Sequence, residues 1–201
     1  MKKETTISTT QARRGFAAAV VVWAVVICAG TGAMLKYAST AGRRSQTAAT
    51  WPIADVLPRA SDRHTLIMTV HPQCPCSRAS ISELERLMSR CDGRLNAYVL
   101  FVEPGGLTGS SAETDLWKSA ARIAGVTPIQ DANGVRAERL GAETSGQAYL
   151  YNPAGSLLFS GGITGARGHA GDNDGRTAIE QIVLKSGPLG RETPVYGCAL
   201  E

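Results

Sequence analysis

Residues 16–35 (FAAAVVVWAVVICAGTGAML) run for twenty positions without a charge, whereas beyond residue 50 the apolar positions recur in short strand-like and helix-like periods. The first run is long enough to cross a bilayer core of roughly 30 Å as a helix. Arg13 and Arg14 precede it and Lys36 follows it directly, flanks that suit a membrane helix better than a buried core helix. Small residues at Ala29, Gly30, Gly32 and Ala33 make a cleavable signal peptide the competing reading; the length of the run and the basic Lys36 favour an anchor. Residues 36–50 are small and polar, lack apolar periodicity and read as a linker.

From residue 51 the pattern alternates. Residues 65–70 (TLIMTV) predict a buried strand, and 75–90 an amphipathic helix with Ile81, Leu84, Leu87 and Met88 on one face. A second strand is predicted at 95–102 and a Gly-rich loop at 104–111. A helix follows over 112–124, with Leu116, Trp117, Ala120 and Ile123 inward. A short helix at 135–141 precedes a hairpin, 147–151 and 156–159 around the turn NPAG, and a last helix spans 177–185 after the Gly-rich loop 161–175. The order β-α-β-α-β-β-α implies an α/β domain, with parallel strands joined by crossover helices and an antiparallel hairpin at the edge.

Charge divides the chain in the same place. The net charge is +4, but the first 50 residues hold seven Lys or Arg against the single acid Glu4, leaving 14 basic and 16 acidic groups for the rest. The basic excess belongs to the membrane segment, so no nucleic-acid partner is expected. The Gly-rich stretches carry neither a Walker lysine nor a GxGxxG after a strand, which argues against phosphate binding. Basic residues number four before the apolar run and three after it, so charge alone barely sets orientation. A short tail with nothing to fold is expected to stay in the cytoplasm. The layout is then 1–15 cytoplasmic tail, 16–35 transmembrane helix, 36–50 linker and 51–201 folded domain. The protein is expected to pass once through the inner (plasma) membrane, with its globular domain periplasmic.

The chemistry concentrates in HPQCPCS, residues 71–77, where the first strand ends and its helix begins. Pro75 suits the first helical position, which makes Cys74 the N-cap, at the positive end of the helix dipole where a thiolate is favoured. Cys76 falls in the first turn. With Cys74 still outside the helix the two sulfurs can meet in a tight, strained ring, and a strained disulfide is readily reduced. A structural bridge closing so short a loop stabilises little. A four-ligand zinc site needs Cys91, Cys198 or a histidine to converge on the pair. His71 is either a base or metal ligand, or merely the end of the strand.

With that motif after a strand, VHPQCPCSRASISELERLM resembles the W-C-x-x-C segment of the thioredoxin superfamily, most of all its membrane-anchored periplasmic TlpA and ResA type members. Residues 131–155 are similar to the family's segment in which a short helix leads to the cis-proline, a strand and a turn. The segments SGGIT, RGHAGDN and the YGC ending resemble short bacterial proteins labelled RedB. The resemblance covers roughly residues 51–190 and implies a thioredoxin-like fold, a mixed sheet flanked by helices, with Cys74 as nucleophile. Three departures stand out. The usual second cysteine is Ser77, so Cys76 must resolve; the position aligned with the cis-proline is Gly146; and the tryptophan before the first cysteine is absent. A non-proline cis bond at Gly146 is costly, so the expectation of disulfide exchange weakens and that of metal binding gains.

Of the five cysteines, Cys28 lies in the membrane run and four lie beyond it. Three readings stay open for the distal pair: Cys91 pairs with Cys198, Cys198 on a mobile tail reaches Cys74 as a resolving thiol, or Cys91 is simply buried. The loop 167–176 gathers Arg167, His169, Asp172, Asp174 and Arg176; it is either a lip of the site or a solvated turn capping the last helix. The expected function is that of a membrane-tethered extracytoplasmic thiol-disulfide oxidoreductase acting on protein thiols or disulfides. Cys74 and Cys76 are its catalytic pair, Cys198 is a further candidate resolver, and His71, Ser77, Gly146, Arg167 and His169 form the lip. No cofactor is expected for that chemistry. The alternative is a non-enzymatic copper chaperone or sensor, since thiolates suit Cu(I); a thioredoxin-fold interaction module without turnover is the third.

Overall fold

The structure, a computed structural model, describes residues 9–53, 57–103, 111–185, 187 and 191–200. The chain divides into two units, Met1–Ala38 and Ser39–Glu201. The first is occupied by α1 (Thr9–Ser39), which begins before and ends after the uncharged run. Its stretch Arg13–Ser39, 27 residues, is about 40 Å long at 1.5 Å per residue. Phe16, Val21, Trp23, Ile27 and Met34 are all exposed, so the helix has no polar face to turn to water. It is long and apolar enough to cross a membrane.

The second unit is built on one six-stranded sheet in the order β3-β2-β1-β4-β5-β6. The strands are β1 (His64–Val70), β2 (Leu95–Glu103), β3 (Val126–Ala132), β4 (Gln147–Tyr151), β5 (Leu157–Gly162) and β6 (Arg191–Glu192). β1, β2 and β3 run parallel, β4 runs antiparallel to both β1 and β5, and β6 is parallel to β5. Helices α2 (Pro75–Arg90), α3 (Asp115–Ala121), α4 (Val135–Leu140) and α5 (Asp174–Lys185) flank it. This is a thioredoxin-like α/β fold.

β1 is buried from Thr65 to Val70 and mostly apolar because both its faces are covered. Leu66, Met68 and Val70 share one core with Ile81, Leu84 and Leu87 of α2 and Ile179 and Ile182 of α5. Ile67 shares the other with Ile53, Leu57, Leu100, Leu140, Tyr149 and Tyr151. Truncating a fully buried Leu84 to alanine costs about 2–5 kcal/mol. The end of β1 and the start of α2 are thereby fixed from both sides, which gives the residues between them a defined position.

Several elements differ from the expectation. β3 escapes the pattern because it lies at the sheet edge, half exposed, with Pro128 inside it, and an edge is where a strand tolerates proline. β6 is only two residues long. α3 starts at Asp115, after a 3₁₀ turn, because the Thr114 side chain accepts the Trp117 N–H. α5 starts at Asp174 because Asn173 Oδ1 accepts the Arg176 N–H at 2.8 Å. Most of the predicted loop 104–111 lies outside the described residues. The stretch expected as a linker is hydrogen-bonded to the domain over 42–50: Gly42 N–H to Val195 O, 2.8 Å; Leu157 N–H to Ala49 O, 2.9 Å; Tyr151 Oη to Ala48 O, 3.2 Å. Backbone groups make two of these bonds and accept all three, so no apolar period announces them.

A candidate three-thiol site

Cys74 is the N-cap of α2, with φ −79° and ψ 117° and Pro75 at the first helical position. Extended angles are what a residue before proline favours. The Cys74 carbonyl accepts the Ser77 N–H at 3.1 Å, while its sulfur closes no regular cap hydrogen bond. Cys74 is buried, 5% exposed, and Cys76 in the first turn is half-buried.

The C-terminal tail brings in a third thiol. Ser145 N–H donates to Cys198 O at 2.8 Å and Leu200 N–H to Glu143 O at 3.0 Å, with an antiparallel bridge between Thr144 and Ala199. Arg167 Nη1 donates to Gly197 O. A Cβ at Gly197 would collide with the Ser145 carbonyl, so a glycine there is what lets the tail come this close. This pairing sets Cys198 Sγ 3.0 Å from Cys74 Sγ. The sulfurs of Cys74, Cys76 and Cys198 all lie within 4.8 Å of one another, and all three are free thiols.

The three are not equivalent in charge. Burial works against ionising Cys74, but the neighbouring Cys198 thiol and backbone, with a smaller contribution from Ser77, outweigh it and bring its pKa down from 9.0 to about 7. Burial pushes Cys198 up to about 12, reinforced by its role as donor to Cys74 and by the Cys74 charge. Burial and the same charge raise Cys76, against the pull of the Arg167 guanidinium. Cys74 is therefore the thiol of the cluster that ionises first, and Cys76 and Cys198 keep their protons to higher pH.

Ser145 organises the floor of the site. Its Oγ accepts the His71 N–H at 2.9 Å and lies 2.7 Å from Ser77 Oγ, tying the end of β1, the first turn of α2 and the approach to β4 together. Burial lowers the His71 pKa, and its Nδ1 accepts the Gln73 N–H at 3.2 Å, which occupies that nitrogen locally. Gly146 has φ +90° and its N–H donates to Thr69 O at 2.7 Å. A Cβ there would stand 2.8 Å from Ser80 Oγ. All the described peptide bonds are trans, so the position aligned with the cis-proline is met by a left-handed glycine instead.

Of the residues singled out from sequence, Cys74, Cys76, Ser77 and Cys198 come together, and Arg167 reaches the tail beside them. His71 lies next to them through its backbone, but neither it nor His169 joins the converging donors. His169 is exposed, its N–H donating to Ala166 O at 3.2 Å. Its loop is held from below by the fully buried Glu83, which accepts from Gly171 N–H at 2.8 Å and Asn173 Nδ2 at 3.2 Å and pairs with Arg176 Nε at 2.8 Å. Cys91 caps the far end of α2, about 25 Å from its N-terminus, buried in the main core with its thiol pushed up to about 11 by burial. It is not placed to pair with Cys198. Ser145 was not among the candidates; its one sequence signal is that it immediately precedes Gly146.

No protein-family model and no curated protein sequence matches the chain. Among solved structures, a hypothetical protein of Sinorhizobium meliloti 1021 is 19% identical with a TM-score of 0.57, covering 80% of this chain and 93% of its own. An uncharacterized conserved protein of Geobacillus kaustophilus is 17% identical with a TM-score of 0.57, covering 81% and 92%. The exposed lipoprotein thioredoxin Etrx1 of Streptococcus pneumoniae is a looser likeness, 14% identical with a TM-score of 0.45 over 61% and 84%. Such identities speak for the fold alone.

Proposed function

We propose that the protein is a membrane-tethered thiol-disulfide oxidoreductase of the TlpA and ResA kind, with its folded domain outside the cytoplasmic membrane. Its proposed layout is a tail 1–15, a transmembrane helix 16–35, a connecting segment 36–50 whose residues 42–50 are hydrogen-bonded to the domain, and a catalytic domain 51–201. The observation that carries the reading is the contact between the Cys74 and Cys198 sulfurs. A nucleophile must be substantially thiolate at working pH and needs a second thiol close enough to release it; Cys74 meets the first condition and Cys198 the second.

The Cys74 thiolate attacks one sulfur of a client disulfide, the client S–S bond breaks, and the other client sulfur leaves as thiolate. Cys198 then gives its proton to that leaving thiolate and attacks Cys74, forming the Cys74–Cys198 disulfide and freeing the client as a dithiol. Two electrons pass to the client, and a dithiol reductant returns them to the enzyme. In this scheme Cys76 is an auxiliary thiol held protonated by the charge on Cys74, while Ser77 supports the thiolate directly and Ser145 through Ser77. Arg167 holds the tail, and His71, Gly146 and His169 border the site. The test is trapping in cells: Cys198→Ser should accumulate reducible adducts on Cys74, and Cys76→Ser should not. Adducts in Cys76→Ser alone would make Cys76 the resolver.

A second reading rests on a separate observation, the convergence of three sulfur donors within 4.8 Å. Soft thiolates suit Cu(I), and Cys74, Cys76 and Cys198 would hold it as a carrier without turnover. Titration of the reduced protein with Cu(I) against a chromophoric chelator separates the two, because a carrier binds one ion tightly and loses it with any of the three cysteines.

A further inference from the structure

In this arrangement Cys74 is 5% exposed and its sulfur is covered by Cys198. A thiolate attacks a disulfide along the S–S axis and must touch it, so no client can react while the tail is down. What holds the tail is a short set of contacts: Ser145 N–H to Cys198 O and Leu200 N–H to Glu143 O are its two backbone bonds to 143–145, and Arg167 Nη1 donates to Gly197 O. Leu200 is buried apart from the main core, against Val102 and Ala137. It sits at the rim of a cavity of about 500 Å³ whose lining includes Ser45, Asn133 and Glu138. The small patch and the space beside it let this end of the tail move without disturbing the packing of β1 and α2.

We propose that residues 197–200 are a displaceable strap, latched by Leu200, which shields Cys74 in the resting protein, lifts from the 143–145 edge to admit a client and re-docks to deliver Cys198. The client's role rests on the oxidoreductase reading; the opening itself does not. When the strap lifts, Ser145 N–H and Glu143 C=O lose their partners, so the segment that takes its place is extended backbone bearing an oxidised cysteine. Attack by Cys74 breaks the client S–S bond and forms the mixed disulfide with release of one client thiolate. Re-docking lets Cys198 form its bond to Cys74 and expel the second client sulfur, its proton passing to the released thiolate.

The experiment uses the reduced full chain in detergent. Hydrogen exchange at the Ser145 and Leu200 amides should run at least about a hundredfold faster than at Gly146, whose N–H is bonded to Thr69 O inside the sheet. Leu200→Asp should raise the iodoacetamide rate at Cys74, mapped by mass spectrometry, by about tenfold or more, the effect of weakening the latch by roughly 1.4 kcal/mol, with Leu200→Met close to the native rate. Gly197→Ala, which clashes with the Ser145 carbonyl, should do the same by a different route. Ser145 exchanging in step with Gly146, or an unchanged Cys74 rate in both opened variants, overturns the strap. If the variants open as expected and Cys74 alkylates faster, yet reduced protein does not exchange with oxidised glutathione, the strap stands and the oxidoreductase reading falls.

Discussion

The sulfur of Cys74 lies 3.0 Å from that of Cys198, although 124 residues separate them. The contact depends on neither residue alone: Pro75 fixes Cys74 at the cap of α2, and Gly197 lets the tail close on Ser145. Its electrostatic result is one thiol that ionises readily beside one that keeps its proton, the pairing from which disulfide exchange starts.

That state has a pH signature. The folded pKa of Cys74, about 7, lies below the ordinary 9.0, so its contribution to stability is full above pH 9 and is lost as the pH falls from 9 to 7. Cys91, at about 11, and Cys198, at about 12, are raised, so their contributions are full below pH 9 and are lost as the pH climbs toward those values. Melting of the reduced full chain should peak near pH 9, and the rise between pH 7 and 9 should vanish in Cys74→Ser. A rise that survives that substitution would assign it to other groups.

Ser77→Ala removes a hydroxyl that supports the Cys74 charge. A hydrogen bond to a charged group is worth about 1.5–3 kcal/mol, so iodoacetamide should react with Cys74 roughly tenfold more slowly at pH 7 and at the native rate at pH 10. Ser145→Ala should act in the same direction but less, because it reaches Cys74 through Ser77. Equal slowing at both pH values would mean lost access rather than a shifted ionisation.

The start of this site was legible in the sequence; its completion by Cys198 was one of three readings that the sequence left open. A β-branched, mostly apolar strand, a proline at the first helical position and an amphipathic period announced β1, Cys74 and α2, because local pattern encodes them. Cys198 joins through pairing at long range, and such pairing leaves no periodic trace. Ser145 and residues 42–50 act through hydrogen bonds of single small residues, which composition reads as loop or linker. β3 was lost for a different reason: an edge strand with one face in water needs little apolar surface and can hold Pro128. Gly146 was correctly noticed as a departure, but only the backbone reveals what replaced the cis-proline, a residue at φ +90°.

Gly146 yields a test of that replacement. Alanine there must adopt a left-handed angle and press its Cβ to 2.8 Å from Ser80 Oγ, so Gly146→Ala should lower stability by about 1–3 kcal/mol. Gly146→Pro, whose ring demands φ near −65° and which also loses the N–H bond to Thr69, should cost more. Chemical denaturation of the two variants settles the order; a proline variant as stable as the native chain would mean that this segment readily takes the family's usual conformation.

Glu83 and Arg176 form a buried pair, 0% and 4% exposed at the side chain, that also fixes Gly171 and Asn173. Arg176 also pairs with Glu180 and Asp172 at 3.0 Å each, so neutralising Glu83 leaves it partnered and removes charge-assisted hydrogen bonds to Arg176, Gly171 and Asn173, each worth about 1.5–3 kcal/mol. Glu83→Gln should therefore unfold at markedly lower denaturant and loosen the loop bearing Arg167 and His169, seen as faster exchange at Gly171. The double replacement Glu83→Leu with Arg176→Met should recover much of the loss. A single variant as stable as the native chain would show that the pair is not load-carrying.

The partnership of Cys74 with Cys198 is tested most directly by mapping the disulfide that forms when the reduced full chain is oxidised by oxidised glutathione, with fragmentation that tells Cys74 from Cys76. The expected product is a bond between Cys74 and Cys198, with Cys76 and Cys91 left as free thiols. A bond between Cys74 and Cys76 with Cys198 free, or three thiols that remain unoxidised, would contradict it.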